Sequence, residues 1–99
     1  MADERRRHER VSTSLAVKWY GLSGIHEARV SDISLGGCFV DTDKRVEMNE
    51  IVSLEIGLPS GEWLALRGEV ISFQPRIGFG LAFTSLTDDE QLALTQLIT

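Results

Sequence analysis

The sequence predicts a mainly β domain, an antiparallel barrel that ends in one helix. Six or seven short segments either alternate apolar with polar residues or are apolar throughout, as strands do. Turn-forming residues, namely glycine, proline, serine and aspartate, separate these segments at short spacing. Near the C-terminus the apolar period lengthens to that of a helix. At 99 residues, the chain is expected to form a single domain with one core.

The first two predicted strands form a hairpin. Residues 13–20 alternate, with Leu15, Val17 and Trp19 on one face. The segment 21–24 has the composition of a turn, and residues 26–33 are rich enough in β-branched residues for a second strand. A turn centred between Leu22 and Ser23 would place Asp32 opposite Thr13, to within a residue or two.

Four more segments complete the predicted barrel. Residues 38–40 form a short apolar strand, residues 51–58 alternate with Leu58 on the buried side, and residues 63–73 form a longer strand with a bend at Gly68. The last strand places one set of large side chains on one face and one set of small residues on the other, which suggests close approach by a ligand or another backbone. The large set is Ile77, Phe79, Leu81 and Phe83, and the small set is Gly78, Gly80 and Ala82.

The predicted helix begins at about residue 87. Thr87 followed by Glu90 is a capping box, and Asp88 and Asp89 suit the positive helix start. The sequence thus divides into an arginine-rich leader, residues 1–12, expected to be flexible, and a barrel domain with its helix, residues 13–99.

Composition excludes several classes of function. The net charge is −5, whereas DNA and RNA binding normally requires a basic face. Cys38 is the single cysteine, so we expect a buried, inert thiol with neither a disulfide nor a metal cofactor. Apolar runs are too short for membrane insertion, and no secretion signal follows the N-terminal arginines. We therefore expect a cytoplasmic protein.

Two polar clusters are expected to meet beside the first hairpin. The leader contributes Arg5, Arg6 and Arg10, and the end of the second strand contributes Asp32 and Ser34. Arginine offers a planar fork of donors to phosphate oxygens or to the O6/N7 edge of guanine. A carboxylate can accept hydrogen bonds from the ring N–H and amino group of guanine, a pattern that adenine does not present. The clusters together suit a guanine nucleotide.

These residues form a paired signature, Arg6-x-x-x-Arg10 followed by Asp32-x-Ser34-x-x-Gly37. The pair resembles that of PilZ domains, which are receptors for the bacterial second messenger cyclic di-GMP, and the segment 78–83 resembles the closing strand of that family. The resemblance implies a six-stranded antiparallel split barrel with a C-terminal α-helix. It also implies that Arg6 and Arg10 hold phosphate and guanine.

The resemblance further assigns the guanine site to Asp32, Ser34, Gly36 and Gly37. In the family, an arginine directly before the first motif, here Arg5, tends to accompany an intercalated dimer of the ligand. We expect the leader to become ordered when its arginines bind ligand, which would create a surface for an unidentified downstream protein.

Other interpretations remain open on the sequence alone. The arginines could be a solubilising end, Asp32 and Ser34 could cap a turn, and the segment 36–37 could be only a bulge or a turn. An adaptor that binds no nucleotide and works through protein contacts is the main alternative function. Enzymatic activity is not expected, because no nucleophile elbow or oriented base is recognisable.

Overall fold

The computed structural model describes residues 10–99, and these form a closed barrel of six antiparallel strands with one helix. The strands follow the order β1-β2-β3-β6-β5-β4 around the barrel, and β4 pairs with β1 to close it. The predicted fold class is therefore confirmed. The elements are β1 Val11–Gly21, β2 Gly24–Ile33, β3 Gly37–Asp41, β4 Ile51–Gly57, β5 Trp63–Gln74, β6 Gly78–Phe83 and α1 Asp88–Ile98.

The β1–β2 hairpin has the predicted turn. Gly21 pairs with Gly24, and the ladder continues in register as far as Leu15 opposite Val30. Beyond that point the register shifts, so that Asp32 lies opposite Ser12 instead of Thr13. β1 also begins at Val11, two residues before the predicted start.

The core fills the barrel with side chains that alternate inward along the strands. Trp19 and Phe79 are fully buried and meet edge to face, with ring centroids 5.0 Å apart, an arrangement favoured by the aromatic quadrupole. Val17 is buried beside Trp19, and Leu15 packs against the same core, as predicted.

Three predicted details of the strands are wrong. Ile77 lies in the turn before β6 and is 58% exposed, so it does not share the buried face of Phe79. Leu58 lies beyond the end of β4. The irregularity of β5 is a register shift between Val70 and Ser72, whereas Gly68 pairs regularly with both neighbouring strands.

A buried carboxylate joins the loops at one end of the barrel. The Oε2 atom of Glu50 accepts the backbone N–H of Leu22 at 2.7 Å, and its Oε1 atom accepts that of Glu47 at 2.8 Å. Hydrogen bonds from two backbone groups satisfy a carboxylate that burial would otherwise penalise. The β1–β2 turn is thereby fixed to the loop before β4.

The helix covers the opposite end of the barrel. Its capping box forms as predicted, since Thr87 Oγ1 accepts the N–H of Glu90 at 3.1 Å and Glu90 Oε1 accepts the N–H of Thr87 at 3.0 Å. Leu94 is fully buried in the barrel core. Between α1 and the β4–β5 turn lies a pocket of about 360 Å³ lined by Leu58 and Leu97, among others. Across residues 10–99, no helix is long and apolar enough to span a membrane.

Cys38 lies in the core, at 1% exposure, as expected from the sequence. Burial raises the pKa of its thiol to about 12, the nearby Asp32 carboxylate adds to the rise, and Arg10 opposes it. Burial and a neighbouring negative charge both disfavour the thiolate. The thiol therefore stays protonated and unreactive in the folded protein at neutral pH.

Replacing Thr87 with alanine should destabilise the fold by about 1 kcal/mol, because the cap hydroxyl accepts an N–H that no helical carbonyl can accept. Denaturant unfolding would measure the change. Thr95→Ala is the matched control, since the Thr95 hydroxyl only donates to the carbonyl of Gln91 within the helix. Equal losses for the two variants would contradict the role of the cap.

Stability should also fall in alkaline solution through Cys38. The thiol ionises near pH 9.0 when unfolded and near 12 when folded, so between these values the unfolded state binds fewer protons and stability is lost as pH rises. For one group the slope reaches about 1.4 kcal/mol per pH unit. We expect the free energy of unfolding of Cys38→Ala to decline less between pH 8 and 10.5 than that of the unmodified protein. Parallel curves would show that the thiol does not contribute.

Candidate functional site

A register shift at Ser31 directs Asp32 to the outside of the barrel. Val30 and Ile33 are both buried, although strict alternation would place residues three apart on opposite faces. The ladders of β2 with β1 and with β3 are both irregular between Val30 and Asp32. Such irregularities re-aim side chains in a sheet. The side chain of Asp32 is consequently 32% exposed, although Val30 and Ile33 on the same strand are buried.

Arg10 and Asp32 form an ion pair on this outer surface. Arg10 Nη1 lies 2.6 Å from Asp32 Oδ1. Arg10 immediately precedes β1, whose first residue, Val11, pairs with Ile33, so the backbone holds the two side chains together. The Arg10 side chain is 58% exposed, and exposed pairs contribute only about 0–1 kcal/mol to stability. The pair is therefore accessible to an incoming ligand and inexpensive to rearrange.

Ser34 stabilises the turn between β2 and β3. Its hydroxyl oxygen accepts the backbone N–H groups of Gly36 and Gly37 at 3.1 and 3.2 Å, and its own N–H donates to the carbonyl of Gly37 at 2.8 Å. The residue is 3% exposed. Turn capping, left open on the sequence, thus applies to Ser34. It does not apply to Asp32, whose carboxylate accepts no backbone N–H from residues 10–99.

Gly36 and Gly37 connect this turn to β6. A Cβ atom on Gly37 would collide with the carbonyl oxygen of Leu81, and the carbonyl of Gly36 accepts the N–H of Phe83 at 2.8 Å. Gly37 opens β3 without a positive φ. Close packing against the neighbouring backbone therefore explains this glycine without any contact to a ligand.

The leader arginines Arg5 and Arg6 lie outside the described residues. Their approach to Asp32, the flexibility expected of the leader and its ordering by ligand stay predictions. The structure brings together Arg10, Asp32 and the turn made by Ser34, Gly36 and Gly37.

Phe39 belongs to the same surface and was not predicted as a site residue. It lies directly opposite Asp32 in the β2–β3 ladder and is partly exposed, while its neighbours Cys38 and Val40 are buried. Apolar–polar alternation did not predict this position, because the outward position of Asp32 depends on the register shift at Ser31. The one available sequence signal was the pair Gly78 and Gly80 in β6, next to which the Phe39 ring lies.

The candidate site combines charged and aromatic side chains. Over the described part of the chain, no group of three or more His, Cys, Asp or Glu side chains is arranged to hold a metal ion. A guanidinium, a carboxylate and an aromatic ring instead share one patch of the barrel surface.

Solved structures share this fold. The inhibitor of motility MotI/DgrA of Bacillus subtilis superposes with a TM-score of 0.79 at 20% identity, over 97% of this chain and 50% of that one, so the chain spans about half the length of that protein. The PilZ domain of CeSA from a cellulose-synthesizing bacterium gives 0.73 at 20% identity, over 91% and 94% of the two chains. The PilZ domain of Escherichia coli YcgR, solved with c-di-GMP, gives 0.78 at 17% identity, over 96% and 89%.

Sequence comparison places the chain in a family. No curated protein matches it by sequence. The family model of the PilZ domain matches residues 4–99, which is nearly the whole chain and includes both halves of the paired arginine and aspartate signature. With a barrel of the same architecture as solved PilZ domains, the chain belongs to the PilZ domain family.

Proposed function

We propose that this domain is a receptor for cyclic di-GMP that signals by binding and not by catalysis. The observation that carries the proposal is the exposed ion pair of Arg10 and Asp32, 2.6 Å apart on the outer surface of the barrel. The PilZ domain of YcgR, which has a similar fold, was solved with this ligand. The cytoplasmic location expected from the sequence stays a prediction.

The chemistry of the pair matches the ligand. Cyclic di-GMP offers two guanine bases and two phosphates, so it presents both donors for a carboxylate and acceptors for a guanidinium. Asp32 would accept the ring N–H and amino group of one guanine, and Arg10 would turn to a phosphate or to the O6/N7 edge of a base. Exchanging a weak exposed ion pair for these contacts costs little.

The remaining motif residues divide into two roles in this proposal. Arg5 and Arg6 would add charge-assisted bonds to phosphate, and Arg5 would favour an intercalated ligand dimer. Ser34, Gly36 and Gly37 would hold the turn that presents Asp32, with their backbone close to the base. The ordered leader would then form the surface read by an unidentified partner protein. An adaptor without nucleotide binding is the alternative.

Calorimetry with cyclic di-GMP and cyclic di-AMP separates these functions. A guanine-specific site should prefer cyclic di-GMP by at least about tenfold, or about 1.4 kcal/mol, because adenine cannot donate the same pair of hydrogen bonds to Asp32. Equal affinity, or no binding of either compound, would leave only the adaptor. Recovery of intact cyclic di-GMP after prolonged incubation would exclude turnover.

Asp32→Ala should weaken cyclic di-GMP binding by about 1–3 kcal/mol while preserving the fold, and Arg10→Ala should weaken it at least as much. The matched controls are Asp43→Ala and Lys44→Ala. These residues form a looser exposed pair, 3.9 Å apart, in the loop after β3, and they make the same charge changes away from the site. Binding isotherms that respond equally to both pairs would defeat the site assignment.

Ser34→Ala should distinguish the structural role of the β2–β3 turn from the proposed ligand contact of Asp32. It removes the acceptor of two backbone N–H groups in a buried turn, so we expect a loss of about 1–3 kcal/mol in the free energy of unfolding. Asp32→Ala should change that free energy by less than about 1 kcal/mol, since its ion pair is exposed. Urea unfolding of both variants is the measurement. A larger destabilisation by Asp32→Ala would reverse the two roles.

A further inference from the structure

We propose that Phe39 is an aromatic platform on which one guanine base of the ligand stacks while Asp32 holds the edge of that base. The inference rests on the proposed function and adds to the same site a residue that determines affinity. It is carried by the position of Phe39 beside Asp32, by the partial exposure of Phe39 and by the glycines next to its ring.

Phe39 and Asp32 are neighbours on the outer face of the sheet. The two residues are direct partners across the β2–β3 ladder, and the Cβ atoms of such partners lie about 4.5–5.5 Å apart on the same face. A carboxylate at that distance from an aromatic ring can hold the donor edge of a purine that covers the ring. Arg10 stands on the far side of the carboxylate and remains available for phosphate.

The ring lies along the surface of the sheet. Phe39 Cε2 is 2.7 Å from the place that a Cβ atom of Gly78 would occupy, and Phe39 Cδ1 is 3.9 Å from the corresponding place at Gly80. These two ring atoms are on opposite sides of the phenyl group, so the ring spans both glycines. The ring therefore lies close to the β6 strand, and Phe39 is partly exposed to solvent.

The absence of side chains at Gly78 and Gly80 serves this arrangement. A Cβ atom at Gly78 would collide with the backbone carbonyl of Val40 and with the Phe39 ring, and one at Gly80 would meet the Ser72 hydroxyl before it met the ring. The sequence suggested that these small residues mark close approach by a ligand or another backbone, and at Gly78 the closest group is indeed another backbone, the carbonyl of Val40, with the Phe39 ring beside it. Ile71, half-exposed and 3.8 Å from the Cβ position of Gly80, extends the apolar border of the surface.

Stacking on such a ring would supply affinity that the polar groups alone do not. Base–aromatic stacking contributes about 1–3 kcal/mol per base and is tolerant of base identity. Phe39 would therefore strengthen binding of any purine, and Asp32 would select guanine. In this arrangement Phe39 contributes mainly to affinity and Asp32 mainly to specificity.

The test compares Phe39→Leu and Phe39→Tyr in calorimetric titrations with cyclic di-GMP. Phe39→Leu keeps an apolar side chain without an aromatic face, and we expect its Kd to rise about tenfold. Phe39→Tyr keeps the face and should bind within about twofold of the unmodified domain. Trp63→Leu is the matched control, because Trp63 is another half-exposed aromatic residue over a glycine, Gly57, on a different part of the barrel. It should leave the Kd unchanged.

Ligand NMR provides a measurement that would not change if Phe39 had only a structural role. Stacking should shift the H8 resonance of a bound guanine upfield through the ring current, and the shift should persist in Phe39→Tyr but vanish in Phe39→Leu. If Phe39→Leu kept the Kd and the H8 shift of the unmodified domain while Asp32→Ala lost binding, the stacking role of Phe39 would be wrong and the proposed receptor function would still hold. Absence of binding to the unmodified domain would instead overturn the receptor, and the platform with it.

Discussion

The register shift at Ser31 is the constraint on which the site depends. Without it, alternation from the buried Val30 would turn Asp32 into the core, where its carboxylate would require a buried partner. With it, the chain places Val30 and Ile33 inside and the carboxylate outside, next to Arg10 and Phe39. One irregular residue thus converts a hydrophobic strand into a strand with a polar functional group at its end, at the cost of a locally interrupted ladder.

The motif residues differ in how far the fold itself accounts for them. The fold itself explains Ser34 and Gly37. Ser34 forms hydrogen bonds within the β2–β3 turn, and Gly37 packs closely against β6. Asp32 is the residue of the turn region whose carboxylate faces outward with only a weak exposed partner. A signature of this kind therefore encodes both a functional group and the local scaffold that presents it.

Sequence reasoning succeeded where structure is determined locally. The capping box at Thr87 and the symmetric turn between Gly21 and Gly24 involve contacts within a few residues, and both formed as predicted. It was less exact where contacts between strands decide the outcome. Asp32 lies opposite Ser12, within the predicted margin around Thr13, because β1 and β2 accommodate a bulge, whereas the orientation of Ile77 was wrongly predicted because it depends on where the β5–β6 turn ends. Phe39 was missed for the same reason, because its orientation follows from three strands at once.

Closure of the six strands into a ring has a consequence for how any partner protein must recognise this domain. Within residues 10–99 every strand has neighbours on both sides, although β4 covers only residues 17–20 of β1 and β3 covers β2 only from residue 29 onward. Where the ladders are complete, a partner could not add its own strand through backbone hydrogen bonding and would have to contact side chains that project from the wall or the ends of the barrel. The identity of individual surface side chains determines such interfaces, so related domains with the same backbone fold can bind different partners.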